Sequence, residues 1–385
     1  MSRSVAIIGS LASSLRNFRG ALIEDLLAAG HEVHAFAPDL RADKATADWL
    51  TERNVRIWDV PFRRAGLNPL SDLTATVALC RLLRAVRPDA MLVYTIKPVI
   101  WGMIAGRLAS VPRRVALITG LGYTFAAPTG GGRALLRRIA LALYRFALRY
   151  ADVVLFQNPD DRQDFQAEGL LPGDTPTAVI NGSGVRLDAF APQPFPPPPV
   201  NFLMIARLLG EKGVREYAAA ARRLRAEGLA VRCTLVGGLA SQLDAIRAEE
   251  VRGWQTDGDI VWLGELADVR PAIAAAHVYV LPSYREGTPR SVLEAMAMGR
   301  PIITTDAPGC RETVECGVNG VLVPPRDVPA LARAMANLAG DLARIERMGA
   351  ASREAAERKY DVHNVNREII AALSPATEPG SVAHG

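Results

Sequence analysis

The stretch Val278-Tyr-Val-Leu-Pro-Ser-Tyr-Arg-Glu-Gly-Thr-Pro-Arg-Ser-Val-Leu-Glu-Ala-Met296 restricts the fold more than any other part of this chain. Its first residues form an apolar run of strand length, and residues 291–298 have the spacing of a helix. Pro289 suits the first helical position, where its missing N–H removes no bond, and Thr288 stands where a cap is expected. A buried strand turning directly into a helix presents unpaired amides, and the positive end of a dipole, at the carboxyl edge of a parallel sheet. That arrangement takes an anion, most often a phosphate. Glu286 and Glu294 flank the site. Carboxylates repel a phosphate, so these two are expected to accept hydrogen bonds from sugar hydroxyls beside one. Taken alone, the pair fits equally well a loop-capping carboxylate and a solvated helix glutamate.

A second feature lies upstream. The strand-like run Asn201-Phe-Leu-Met-Ile-Ala206 leads into Arg207-Leu-Leu-Gly-Glu-Lys212-Gly213. A guanidinium and an ammonium at the end of a strand can hold a diphosphate without metal, the first by a two-pronged contact and the second as a point charge. Asp257-Gly-Asp259 has the form of a metal-binding pair, but it precedes a strand at the end remote from the phosphate site and is given little weight.

The rest of the chain alternates short apolar runs with helical segments. In the first half the expected strands fall near residues 4–9, 32–37, 55–60, 90–94, 115–119 and 153–156, with helices at 73–86 and 133–150 among the connections. The loop after Gly9 lacks the second and third glycines of a dinucleotide fingerprint, so a nicotinamide or flavin site is not expected there. His31 and His34 read as structural, with no acid partner expected. The prolines of 192–199 form a semi-rigid linker, and the glycines of Asn181-Gly-Ser-Gly184 supply a hinge. Strands near 201–206, 233–236, 260–263, 278–281 and 301–305, a turn and strand at 317–324 and closing helices near 328–348 and 350–373 complete the second half, before a Pro/Gly/Ser tail expected to be disordered. The reading is an α/β chain with domains at 1–185 and 186–360 and a closing helix and tail at 361–385.

At 385 residues and 49% hydrophobic content there is material for two such cores. Four scattered cysteines suggest reduced structural thiols rather than disulfides or a zinc site. No secretory leader is evident, and no run would make a membrane span. The net charge of +5 is uneven: residues 1–185 hold 22 Lys and Arg against 16 Asp and Glu. Between Ala90 and Ala151 there is no acidic residue, while Lys97, Arg107, Arg113, Arg114, Arg133, Arg137, Arg138, Arg145 and Arg149 are all cationic. On a helix Arg133, Arg137, Arg138, Arg145 and Arg149 share a broad arc, with Leu136, Ile139, Leu143 and Phe146 pointing elsewhere. Such a face is commonly just solvated, but within an acid-free block it favours an anionic membrane surface. Nucleic acid is not expected, because base-stacking aromatics are not interleaved with the basic residues.

Glu286-x7-Glu294 in the setting Glu-Gly-Thr-Pro, followed by Glu-Ala-Met-Ala-Met-Gly-Arg-Pro-Ile-Ile303, resembles the signature of family-four retaining glycosyltransferases, and Arg207-x4-Lys212 is similar to the same family's diphosphate pair. Leu67-Asn-Pro-Leu70, Gly120-Leu-Gly-Tyr123, Met204-Ile-Ala-Arg-Leu-Leu-Gly-Glu-Lys-Gly-Val214 and Leu235-Val-Gly-Gly238 further resemble bacterial enzymes that add N-acetylgalactosamine to an undecaprenyl-diphosphate-linked sugar. The resemblance implies the GT-B fold, two Rossmann-like doubly wound domains facing across a cleft. It implies a UDP-sugar donor held mainly by the second domain, a lipid-diphosphate-linked glycan acceptor held by the first, and metal-independent transfer with retention, carried out peripherally on the inner face of the cytoplasmic membrane. On this resemblance Arg207, Lys212 and Glu286 are the catalytic candidates. Gly9, Leu263, Leu266, Gly287, Thr288, Pro289, Arg290 and Glu294 join them in holding the donor, with Glu294 on the ribose, Glu286 on the transferred sugar and Leu263 and Leu266 in a nucleobase loop. Lys97, Gly120, Tyr123, Arg133, Arg137, Arg138 and Arg145 are assigned to the acceptor or the membrane. Relatives often carry a histidine in the region of residues 120–125; this sequence has none, and no histidine role is assigned. The competing readings are a UDP-sugar epimerase of the same fold and a non-catalytic nucleotide-sugar or nucleic-acid binder.

Overall fold

The computed structural model describes residues 3–62, 69–120, 132–240, 242 and 244–374, with the side chains of 69–70 and 132–136 outside that set. The Leu67-Asn-Pro-Leu phrase falls partly outside the described residues, and Tyr123 and the Pro/Gly/Ser tail beyond 374 fall wholly outside them.

The chain divides into two units, Met1–Ile180 with His363–Gly385, and Asn181–Val362. In the first, β1 (Ser4–Ile8), β2 (Glu32–Ala37), β3 (Arg56–Asp59), β4 (Ala90–Tyr94), β5 (Arg113–Ile118), β6 (Val153–Phe156) and β7 (Thr177–Val179) form a parallel sheet ordered β3-β2-β1-β4-β5-β6-β7. Apolar runs reveal six of these seven strands; β7 is a three-residue edge, too short to carry a pattern. Because the order reverses between β1 and β4, their carboxyl ends are the switch point where α/β sheets bind ligands. Both faces of the sheet are covered by buried apolar clusters, one around Phe36, Met91 and Phe156 and the other around Leu15, Val33 and Leu92.

The last helix, Val362–Leu373, contributes Val365, Ile369 and Leu373 to that second cluster, so it belongs to the first unit rather than forming a separate closing segment. Asp25 holds it by accepting from Asn366 Nδ2 at 2.7 Å, with His363 Nδ1 3.0 Å away. The two closing helices expected from periodicity are three, Val328–Ala339, Leu342–Lys359 and Val362–Leu373. Asp341 makes the first break by capping the second helix through Arg344 N.

In the second unit β8 (Val200–Ile205), β9 (Val231–Val236), β10 (Val261–Trp262), β11 (Val278–Leu281), β12 (Ile302–Thr305) and β13 (Gly320–Val323) are ordered β10-β9-β8-β11-β12-β13, with the switch point between β8 and β11. A single core runs through this unit. The proline-rich segment is fastened to it. Arg300, fully buried, donates to the carbonyls of Ile273, Ala274 and Pro194, and its guanidinium lies 4.6 Å from the centre of the Phe195 ring. Asn181–Val185 also sits here, with Val185 N donating to Tyr360 O at 2.8 Å.

Asp257 and Asp259 have a structural explanation: Arg222 bridges them, and Arg225 also donates to the buried Asp259. His34 does have an acid neighbour, since Glu32 Oε1 lies 3.3 Å from its Nε2; burial still holds this imidazole below its ordinary value. Cys80, Cys233 and Cys310 are buried thiols and Cys316 is exposed, none of them bridged.

Candidate active site

The loops leaving β8 and β11 lie side by side at the switch point of the second unit, because those strands are paired neighbours. The first runs from Arg207 through a 3-10 turn, Gly210–Lys212, into the helix Val214–Ala226. Gly213 has φ +74, and a Cβ there would fall 2.2 Å from Pro282 O, so only glycine lets the two loops come this close. Asp244 pins the turn: its carboxylate accepts from Glu211 N at 2.6 Å and its carbonyl from Gly210 N. Across the interface Tyr284 N donates to Glu211 O, and the Tyr284 hydroxyl donates to Glu216 at 2.7 Å.

This packing brings Lys212 and Glu286 together. Lys212 Nζ lies 2.6 Å from Glu286 Oε1, and each side chain is 15% exposed. Ser283, wholly buried, donates to the same oxygen at 2.7 Å. The sequence reading gave Lys212 to a phosphate and Glu286 to a sugar. The two also form one ion pair, in which an ammonium with three N–H donors gives one to Glu286. Arg207 is exposed; its carbonyl accepts from Leu209 N, and its guanidinium has no ion-pair or hydrogen-bond partner among the described residues. Gly287 and Glu286 are backed by the loop after β12: Glu286 N donates to Pro308 O, and a Cβ on Gly309 would fall 2.1 Å from Glu286 O.

The helix begins one residue later than expected. Arg290–Ala297 is helical, and Pro289, in an extended conformation, is its N-cap rather than its first residue. The N-cap position expected of Thr288 is thus taken by Pro289, whose side chain makes no cap bond. Pro289 O instead accepts from Val292 N and Leu293 N, leaving the amides of Arg290 and Ser291 ahead of the first intrahelical bond. Glu294 is no solvated helix residue: it is 8% exposed and paired with Arg290 at 2.8 Å. Burial raises its carboxyl above the ordinary value, and the Arg290 guanidinium offsets part of that.

Two residues that the sequence reading missed fix this helix. The buried Tyr279 hydroxyl lies 3.0 Å from Ile205 O and 2.6 Å from Ser291 Oγ, within donating reach of either, and Ser291 Oγ donates to the same carbonyl at 3.2 Å. The exit of β8 is thereby tied to the start of the helix. The signal was a tyrosine inside an otherwise aliphatic strand, whose hydroxyl needs a partner when buried. Of the nucleobase candidates, Leu263 is 45% exposed and Leu266 packs half-buried on the core.

In the first unit the assignments change more. Lys97 Nζ lies 3.0 Å from Asp72 Oδ1, and Asp72 is 2% exposed, so this cation compensates a buried carboxylate. Asp72 lies outside the acid-free block, which is why counting along the chain missed the pair. In the helix Gly132–Leu148, Arg137 is paired with Glu168, and Arg145 donates to the carbonyls of Gly169 and Glu168. The basic arc is thus partly consumed within the unit. Arg138 and Arg149 remain exposed without a partner among the described residues, and Ile139 and Phe146, expected to point elsewhere, are each 45% exposed beside them. The side chain of Arg133 lies outside the described set. Gly120 has φ +113 at the exit of β5, and Gly9 is packed so that a Cβ would fall 2.4 Å from the Tyr94 hydroxyl. Among the described residues no helix is long and apolar enough to cross a membrane, and no group of three or more His, Cys, Asp and Glu could hold a metal.

Two doubly wound units, the second with cations and carboxylates gathered at its switch point, fit the architecture of a glycosyltransferase. Residues 16–182 match the family described as glycosyl transferase 4-like domain, and residues 199–341 match glycosyl transferases group 1. The chain belongs to the family-four glycosyltransferases and has the GT-B fold. It is similar to the N,N'-diacetylbacillosaminyl-diphospho-undecaprenol alpha-1,3-N-acetylgalactosaminyltransferase of Campylobacter jejuni, 27% identical over 88% of this chain and 89% of that one. It is also similar to the UDP-Gal:alpha-D-GlcNAc-diphosphoundecaprenol alpha-1,3-galactosyltransferase of Escherichia coli, 25% identical over 76% of this chain and 77% of the other. Among solved structures, Anabaena HepE in complex with UDP-glucose superposes with a TM-score of 0.74 at 20% identity, covering 96% of this chain and 99% of that one.

Proposed function

We propose that this glycosyltransferase moves N-acetylgalactosamine, or another N-acetylhexosamine, from a UDP-sugar to an undecaprenyl-diphosphate-linked acceptor, with retention, in bacterial surface or glycoprotein glycan assembly. The observation that carries the reading is the Lys212–Glu286 pair beside Arg207 at the switch point of the second unit. The printed activities of the Campylobacter jejuni and Escherichia coli relatives, both on undecaprenyl-diphosphate-linked sugars, support the acceptor class.

Cleavage of the sugar–phosphate bond leaves a negative UDP and a sugar with oxocarbenium character, so stabilising the departing diphosphate is the main task. Arg207, the two unused N–H donors of Lys212 and the amides at Arg290 and Ser291 supply positive potential for it without a metal. Glu294 accepts from the ribose and Glu286 from the transferred sugar. Attack from the face that the diphosphate leaves, with a diphosphate oxygen taking the acceptor's proton, gives retention without the carboxylate nucleophile used by retaining glycosidases. The exposed Arg138, Ile139, Phe146 and Arg149 of the first unit would bring the enzyme to an anionic bilayer that holds its acceptor.

The deciding experiment incubates the protein with labelled UDP-sugars, with and without a short prenyl-diphosphate-linked N-acetylhexosamine. Transfer is expected only with acceptor, giving an α-linked product by its anomeric coupling. Epimerised donor without transfer would assign an epimerase, and binding without turnover a non-catalytic protein.

A further inference from the structure

The switch point of the first unit carries a feature that the site above does not use. At the carboxyl ends of β1 and β4, adjacent strands, Thr95 Oγ1 donates to Ser10 Oγ at 2.9 Å. Both residues are half-buried and so open to a ligand. Thr95 has φ +69. That is a true outlier for a β-branched residue, and such strain persists where the surroundings fix it, most often at ligand sites. The surroundings here are well defined: Thr95 O accepts from Val99 N at 3.0 Å, Lys97 is locked to the buried Asp72, and Tyr94 lies beneath Gly9 with its hydroxyl 2.8 Å from Ser14 Oγ.

We infer that Ser10 and Thr95 form a hydroxyl-reading pair that binds two neighbouring ring hydroxyls of the acceptor sugar. With the Thr95 proton spent on Ser10, the pair offers one donor, the Ser10 O–H, and accepting lone pairs on Thr95 Oγ1. One sugar hydroxyl can donate to Thr95 while its neighbour accepts from Ser10, which continues a single hydrogen-bond chain across both molecules. A diphosphate diester, whose ionised oxygens only accept, would leave the Thr95 lone pairs unpaired. A sugar diol satisfies both residues. The inference rests on the proposed transfer to a sugar-bearing acceptor and adds the residues that select it.

The test measures transfer kinetics for wild type, Thr95→Val, Thr95→Ser and Ser10→Ala with farnesyl-diphosphate-linked N-acetylglucosamine and its single-deoxy analogues, together with thermal unfolding of each variant. Thr95→Val keeps the branched shape and removes the hydroxyl. It is expected to raise the acceptor KM by about 3- to 10-fold, the loss of one neutral hydrogen bond, while the UDP-sugar KM holds and Thr95→Ser restores the wild-type value. Removing the matching acceptor hydroxyl should cost wild type the same factor and cost Thr95→Val almost nothing. An unchanged acceptor KM in a folded Thr95→Val protein overturns the pair as a substrate contact, and a rise confined to the UDP-sugar KM assigns it to the donor instead. If wild type neither binds nor transfers to any of these acceptors, the proposed function falls and this inference with it. If wild type transfers and the deoxy analogues show no coupling to Thr95, only the inference falls.

Discussion

Lys212 Nζ and Glu286 Oε1 are 2.6 Å apart, and Ser283 donates to the same carboxylate oxygen at 2.7 Å. One ammonium therefore compensates a part-buried carboxylate and, in the proposed reaction, also faces the leaving diphosphate. Lys212→Ala is expected to lower kcat by about 10²–10³, as for loss of one preorganised charge donor. Because it strands Glu286, it should also lower stability, by roughly 1–3 kcal/mol. Adding Glu286→Gln to that variant should recover the urea midpoint but not the activity. Activity returning together with stability would show that Lys212 acts only by holding Glu286.

If these cations perform the work of a metal, transfer should proceed undiminished in EDTA. Complete loss, reversed by magnesium or manganese, would refute the metal-free mechanism.

Glu294 gives the site a pH dependence of defined sign. Burial raises its carboxyl, so the folded state holds this proton more tightly than the unfolded chain does. The stability it contributes is fully present below the unfolded value of about 4.3 and is lost as pH rises through the higher folded value. Urea midpoints across that window should show a falling component that disappears in Glu294→Gln. UDP affinity should move in the opposite direction, strengthening as the ionised carboxylate becomes available to ribose hydroxyls, and this rise should be absent from the variant. Glu286→Ala should spare UDP while weakening the UDP-sugar, and equal loss of UDP affinity in the Glu286 and Glu294 variants would end the division of roles.

The architecture was legible because parallel strands buried on both faces read as unbroken apolar runs, and because the phosphate end of such a sheet is marked by charge after a strand, as in Arg207–Lys212 and Glu286–Glu294. Pairings across long separations were not. Nothing local to Lys97 indicates Asp72, and nothing local to Arg137 and Arg145 indicates Glu168 and Gly169, so a basic arc drawn on an isolated helix overcounted its free charges. The unit boundary was displaced for the same reason. The final helix is continuous in sequence with the second unit, yet Val365, Ile369 and Leu373 bury themselves in the core of the first. Hydrophobic periodicity shows that a helix has an apolar face without showing which core receives it.

In sequence Tyr279 reads as one more apolar strand residue, but its hydroxyl has a testable role. Tyr279→Phe removes the bonds to Ile205 O and Ser291 Oγ, though Ser291 keeps its own 3.2 Å bond to that carbonyl. The expected cost is roughly 1–2 kcal/mol, read as a lower urea midpoint at unchanged slope. UDP affinity should fall with it, because the first turn of the Arg290–Ala297 helix loses its tie to the exit of β8. A destabilised variant with wild-type UDP affinity would separate the tie from the site.

Membrane attachment should depend on fewer charges than the sequence suggests. Arg137 and Arg145 are engaged by the segment at Glu168–Gly169, which leaves, among the described side chains of this helix face, Arg138 and Arg149 beside the exposed Ile139 and Phe146. Each arginine near an anionic surface contributes roughly 1 kcal/mol, so two alone give weak binding, and the apolar pair must supply much of the rest. Arg138→Glu with Arg149→Glu should therefore reduce co-sedimentation with anionic vesicles and abolish its salt dependence, whereas Phe146→Ser should weaken binding at low and high salt alike. Arg137→Glu should have a smaller effect on binding and a larger one on stability, since it sets two carboxylates against each other at Glu168. Transfer to a short, water-soluble acceptor should survive in Phe146→Ser and in the Arg138, Arg149 double variant, while transfer to undecaprenyl-linked acceptor in vesicles should fall. Binding indifferent to salt, to both charge reversals and to Phe146 would remove this helix as the docking surface.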